Sequence, residues 1–199
     1  MRVMPLTEPW HWFGTYTGVT YLTALCLPLA LLIAGTLTRA RVARGTAPAA
    51  ARRTAWAEVG MVYGTVPWVW MTMLPGSRAG EVAGAVSLVP LRDLGTMDDV
   101  QVAGNLVILA ALGCLAPVRY AAMASLPRVL ALGVGASTLI EVLQYVLVLD
   151  RVSSVDDILL NASGAVLAAL FSRPWWARTQ RRVTDPRTGS RRILDRTAS

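Results

Sequence analysis

The residues with the most to say about chemistry sit inside apolar surroundings. Ser137, Glu141 and Gln144 lie in one such stretch, at spacings of four and three. Those spacings place all three on a single stripe of an α-helix. Asp157, Asn161 and Gly164 repeat the pattern in the next stretch, with Asp156 beside them. Asn105 lies in a third apolar stretch, and Arg151 in the short connection between the last two. An ionisable group within an apolar helix is costly unless its charge is removed or paired, so it marks a candidate site. Glu141 has nothing in its own helix to neutralise it. It calls for a proton or for a partner across helices, with Arg151 the candidate.

Local explanations exist for several of these residues. Ser154, Val155, Asp156 and Asp157 have capping-box spacing, so either aspartate could serve the start of a helix. That reading is preferred for Asp156 and is evenly balanced for Asp157. Asn105 and Asn161 could be interhelical hydrogen-bonding groups, and Gly164 with Ala168 is a small-residue pair suited to close packing.

The elements that hold these residues follow from composition. The chain has 199 residues, of which 54% are hydrophobic and only 16% charged, with a mean hydropathy of +0.49. Soluble domains carry roughly 25% charged residues. Five apolar segments, at about 18–38, 57–75, 101–117, 129–149 and 155–173, are long enough to cross a bilayer. Lipid offers no partner to free backbone groups, so each should be a helix. The expected fold is an all-α polytopic bundle of five transmembrane helices. An external segment 1–17 precedes the bundle at 18–173, and a basic tail follows at 174–199. The first segment is too long for a cleaved signal core and its basic residues follow it, so it is read as a retained helix.

Arginine sets the direction. All 19 basic residues are arginine, and with five helices fifteen fall on one side and four on the other. The positive-inside rule then places the N-terminus outside and the C-terminus in the cytoplasm. Trp10, Trp12, Phe13 and Tyr16 at one end and Trp175 and Trp176 at the other fit as interface anchors. A net charge of +7 can point to nucleic acid, but here the arginines flank apolar segments. The expected partners are therefore membrane lipids and no nucleic acid, with a homo-oligomer open. The use of arginine alone, with heavy Ala, Gly and Val usage, suggests a GC-rich bacterial genome, so the expected location is a bacterial plasma membrane.

Cys26 and Cys114 lie within apolar runs, and His11 is the only histidine. Neither a disulfide framework nor a His-based metal site or triad is expected, and no cofactor is implied. With this topology Glu141 lies ~12 Å below the outer surface and Asn105 ~6 Å in. Asp157, Asn161, Gln144 and Arg151 share that leaflet. An outward-facing polar pocket would account for the convergence.

The same residues resemble the VanZ-like family over about 86–170. Leu88-Val89-Pro90 precedes Gly104-Asn105-Leu106 and Gly113-Cys114-Leu115-Ala116-Pro117. Then come Ser137, Ile140, Glu141 and Gln144, followed by Arg151, Asp156-Asp157-Ile158, Asn161 and Gly164. Ser87 stands where the family often has Asn, and Leu109 and Ala111 where it often has Phe and Pro. The resemblance implies a cell-envelope membrane protein associated with resistance to the glycopeptide teicoplanin.

Three functions are consistent with these observations. One is a binding protein holding a lipoglycopeptide tail or a lipid-linked wall precursor through Glu141, Gln144, Asp157, Asn161, Asn105, Arg151 and Ser137. A second is a proton-linked carrier or flippase, which the absence of an internal repeat disfavours. The third is an intramembrane enzyme using Glu141 and Asp157 as acid and base. It ranks last, because no nucleophile motif, metal cluster or phosphate loop accompanies them.

Overall fold

The computed structural model describes residues 14–81 and 84–177. Among the described residues there are six α-helices: α1 Tyr16–Ala43, α2 Pro48–Thr72, α3 Asp99–Ile108, α4 Ala110–Arg119, α5 Leu126–Val146 and α6 Val155–Ser172. Leu109, at φ −106° and ψ 8°, is the only interruption between α3 and α4, and Gly113 N still bonds to Leu109 O at 2.9 Å. The pair acts as one span of 21 residues, Asp99–Arg119, which extends the expected third segment by two residues at each end.

Four spans, Tyr16–Ala43, Asp99–Arg119, Leu126–Val146 and Val155–Trp175, are long and apolar enough to cross a membrane. Helix α2 has the length, at 25 residues, but not the hydropathy. Glu58, four aromatic rings from Trp56 to Trp70 and two glycines dilute its aliphatic content.

Helix α6 lies at the centre, packed against α3, α4 and α5, while α2 packs on α4 and α1 on α2. The sequence of α6 explains its position. Its buried face consists of Asn161, Ala162, Gly164, Ala165, Ala169 and Ser172, all small or polar. A Cβ on Gly164 would run into the backbone carbonyl of Leu106, and one on Gly113 into the carbonyl of Ala165. Close backbone approach of this kind is how helices associate where lipid removes the hydrophobic drive between them. The packing role expected of Gly164 is what the structure shows. Helix α1 is the opposite case, with Leu25, Leu29 and Leu32 turned outward.

The connections at the Tyr16 end of the bundle form a tied cap. Val86–Ser87 pairs in parallel with Ser153–Ser154, giving a two-stranded ladder, β1 and β2. After α5, Val148 and Asp150 take positive φ of 52° and 54°, which turns the chain back. Gly76 N and Gly80 N then reach the carbonyls of Leu149 and Val148, each at 2.9 Å. Gly84 has to be glycine, since a Cβ there would strike the carbonyl of Arg151.

At the other end Trp175 packs against Phe171 with the rings tilted by 51° and centroids 6.1 Å apart, and Trp176 donates to Ala169 O and Ser172 Oγ. Cys26 and Cys114 are free and half-buried. His11, Trp10, Trp12, Phe13 and the tail from 178 onward lie outside the described residues.

Candidate functional site

The polar stripe of α5 is buried: Ser137, Glu141 and Gln144 are 0%, 7% and 7% exposed. Each is engaged by a different element. Ser137 Oγ accepts from Asn161 Nδ2 of α6 at 2.8 Å. Gln144 Nε2 donates to the carbonyl of Thr72, at the end of α2, at 2.8 Å. The last carbonyls of a helix are left over by its own ladder, so this bond also caps α2. Glu141 Oε2 accepts from the backbone N–H of Ser154 at 3.1 Å, and the Glu141 carbonyl accepts from Ser153 Oγ at 3.1 Å.

These bonds revise the reading of the Ser154 region. Ser154 does cap α6, its Oγ accepting from Asp156 N at 3.1 Å. In a capping box the third helical residue, here Asp157, would return the bond to the Ser154 N–H. Glu141 from α5 takes that N–H instead, and Asp157 Oδ1 accepts from Asn105 Nδ2 of α3. Asp157 is therefore an interhelical residue. Asp156 is not a helix cap either. It is 2% exposed and its carboxylate accepts the backbone N–H groups of Leu91, Asp93 and Leu94. It anchors the loop ahead of α3, where Leu91 has a φ of 64°.

The suggested pairing of Glu141 with Arg151 is not formed. Arg151 Nη2 donates to Tyr16 Oη at 2.9 Å and to Leu74 O at 3.2 Å. Among the described residues Arg151 makes no ion pair. The guanidinium is engaged instead by α1, through Tyr16, and by the residue two past the end of α2, Leu74.

A cleft of about 690 Å³ opens at this end of the bundle. Asn105, Glu141, Gln144, Arg151, Asp157 and Asn161 all line it. Ser137 does not, and sits behind the wall holding Asn161. Glu141 and Asp157 thus share one cavity. Apolar wall comes from Trp68, Met71, Ile108 and Ile140.

Sequence reasoning missed several lining residues. Gln101 lies one helical turn before Asn105, a spacing that could have exposed it. Tyr16 lines the cleft as well as standing at the start of α1. Thr72, Asp98 and Asp150 gave no comparable signal. Asp150 is held by Arg78, through Arg78 N at 3.0 Å and an ion pair at 3.6 Å.

Beside the cleft, Ser154 Oγ donates to Asp93 Oδ2 at 2.7 Å. The hydroxyls of Ser87 and Ser154 hold the Asp93 carboxyl below the usual aspartate range.

A second polar cluster lies at the far end. Glu58 bridges Arg41 of α1 and Arg119 of α4, tying α2 to both neighbours. Its partners are 17 and 61 residues away, beyond any local pattern. Among the described residues no three His, Cys, Asp or Glu side chains gather as a metal site.

No curated protein and no solved structure matches the chain. The family model described as VanZ/LLP1 matches residues 61–177. The match spans more than half the sequence and includes every cleft residue except Tyr16. Four apolar spans and this match together describe a VanZ-like multi-pass membrane protein. The chain belongs to the VanZ/LLP1 family.

Proposed function

We propose that this protein sits in a bacterial plasma membrane and binds an amphiphile of the cell envelope in an outward-facing cleft. The occupant is a lipid-linked wall precursor or the lipid-bearing part of a glycopeptide, and binding contributes to teicoplanin-type resistance. One observation carries the reading: two carboxylates, Glu141 and Asp157, share a 690 Å³ cleft that also exposes apolar wall from Trp68, Met71, Ile108 and Ile140. Such a cleft matches a molecule with a polar head and a hydrocarbon body.

The topology that makes the cleft outward-facing has five spans, with α2 as the fifth. Two facts support including α2. It packs between α1 and α4, and the charge of Glu58 is met by Arg41 and Arg119. The arginine distribution supports an external N-terminus. Single cysteines at Ser77 and at Ala122 test this. The reading requires an impermeant thiol reagent on intact cells to label the first and not the second.

For function, Glu141→Ala abolishes saturable binding of envelope amphiphiles and lowers teicoplanin tolerance in cells expressing the protein at equal abundance. Unchanged binding of every envelope amphiphile tested would sink the proposal.

The shared cavity also favours a second reading, in which Glu141 and Asp157 act as acid and base on a bound envelope lipid. Turnover of a labelled lipid, lost in both Glu141→Gln and Asp157→Asn, separates this from binding alone.

A further inference from the structure

The deep wall of the cleft presents hydrogen-bond acceptors without matching donors. Glu141 Oε2 is used by Ser154 N, while the adjacent Ser153 hydroxyl donates to the Glu141 carbonyl, which leaves Oε1 to face the cleft. Asp157 Oδ1 is used by Asn105 Nδ2, and among the described residues Oδ2 has no partner. Asn161 is 1% exposed; its Nδ2 is used by Ser137, and its Oδ1 is buried without a partner. All three residues line the cleft. In each, one polar atom fastens the side chain to the bundle and one acceptor is left over.

Two carboxylate oxygens and an amide oxygen describe the complement of a primary ammonium, which has three N–H donors and a positive charge. A quaternary ammonium has the charge but no donor, and an anion is repelled there. Arg151 supplies the opposite preference elsewhere in the cleft. Its Nη2 is held by two neutral oxygens, those of Tyr16 and Leu74, and its Nε is buried without a partner. A guanidinium fixed by neutral groups keeps its charge available for a phosphate.

We propose that the cleft recognises an aminoalkyl-phosphate headgroup, with its primary ammonium on Glu141, Asp157 and Asn161 and its phosphate on Arg151. This rests on the reading of the cleft as an amphiphile site and names the headgroup chemistry. A residue with one polar atom committed and one free holds its acceptor in place before the ligand arrives, so little ordering is needed on binding.

The test uses the full chain in lipid-free micelles and lipids of identical acyl chains. Dissociation constants are measured for phosphatidylethanolamine, its mono- and dimethyl derivatives, phosphatidylcholine and phosphatidylglycerol. The expected result is a graded loss with methylation, reaching at least tenfold at phosphatidylcholine, and a similar loss for phosphatidylglycerol. Glu141→Gln, which keeps an acceptor for Ser154 N, reduces phosphatidylethanolamine to the level of phosphatidylcholine and leaves the latter unchanged. Asp157→Asn does the same and serves if the first variant does not fold. Arg151→Gln weakens all the phospholipids by a common factor. Soluble phosphoethanolamine competes at least a hundredfold more weakly than the lipid, because it lacks the chains.

Equal binding of phosphatidylethanolamine and phosphatidylcholine overturns the ammonium site. If that equal binding still falls in Trp68→Ala, the amphiphile cleft itself survives. Absence of saturable binding for the whole series overturns both readings. Equal potency of soluble phosphoethanolamine overturns the lipid assignment.

Discussion

Asp156 offers the sharpest test of how the site end of the bundle is built. Its carboxylate accepts three backbone N–H groups, from Leu91 to Oδ1 and from Asp93 and Leu94 to Oδ2 at 2.9 and 3.0 Å. Bonds to a charged acceptor contribute about 1.5–3 kcal/mol each. The loop is largely exposed, so its freed N–H groups would be rehydrated. Taking the low end and discounting for hydration leaves about 3 kcal/mol for the three together, or ~100-fold in the opening of the loop. Asp156→Ala should therefore raise amide exchange at Leu91, Asp93 and Leu94 by ~100-fold. Asp156→Asn should do nearly as much, because one carboxylate oxygen becomes an NH2 that faces N–H donors. A helix-capping role makes a different forecast: a loss of ~1 kcal/mol, an effect centred on the first turn of α6, and good tolerance of Asn. Exchange mapped by NMR or by mass spectrometry in micelles separates the two. Wild-type exchange of the loop in Asp156→Asn would refute the anchoring argument.

Three further outcomes follow from the packing and the charges. Gly113→Ala forces a Cβ against the Ala165 backbone and should cost about 2–3 kcal/mol, seen as a lower thermal unfolding midpoint in detergent. Gly135→Ala meets nothing within 4 Å and should be neutral or stabilising by up to about 1 kcal/mol, so equal effects at the two sites would contradict the close-approach account. Glu58→Gln leaves Arg41 and Arg119 facing each other; with side chains 21–29% exposed, solvent screening limits the cost to about 1–2 kcal/mol. A double-mutant cycle with Arg41→Gln should show coupling, and strict additivity would remove the bridge as a stabilising contact. The Asp93 carboxyl is held low, so its bond to Ser154 stabilises the cap fully above the ordinary aspartate range and loses it as pH falls through the lowered value. Asp93→Asn should abolish that acid-side step in loop exchange, and persistence of the step would assign it to another group.

The parts of this molecule that were legible in its sequence are those governed by short-range periodicity. A 3.6-residue repeat puts Ser137, Glu141 and Gln144 on one face whatever surrounds them, and the same holds for Asp157 and Asn161. Apolar length gave the spans at 16–43, 126–146 and 155–175 in outline. What escaped depends on contacts distant in sequence. Glu58 stands one residue inside an apolar run and carries no local sign of Arg41 or Arg119. Asp156 and Asp157 are adjacent and chemically identical, and only the loop at 91–94 and Asn105 distinguish their roles. The capping-box pattern was misleading for a physical reason. The Ser154 N–H needs an acceptor, and spacing alone cannot say whether it comes from three residues ahead or from another helix.

That substitution of a distant acceptor for a local one gives the site its order. Asp156 fixes the loop that carries Asp93; Asp93 accepts from Ser154 Oγ; Ser154 N holds Glu141 Oε2. Each link joins groups at least 13 residues apart, so the orientation of Glu141 is set by the cap and not by α5 alone. A helix carboxylate without a local partner would otherwise be free to swing between rotamers, at a cost in order that any ligand would have to meet. The chain of bonds removes that freedom at one oxygen only. The cap residues therefore belong to the site even though Asp156 does not line the cleft, and loosening the loop at Asp156 should weaken binding at Glu141 without removing any group that touches the ligand.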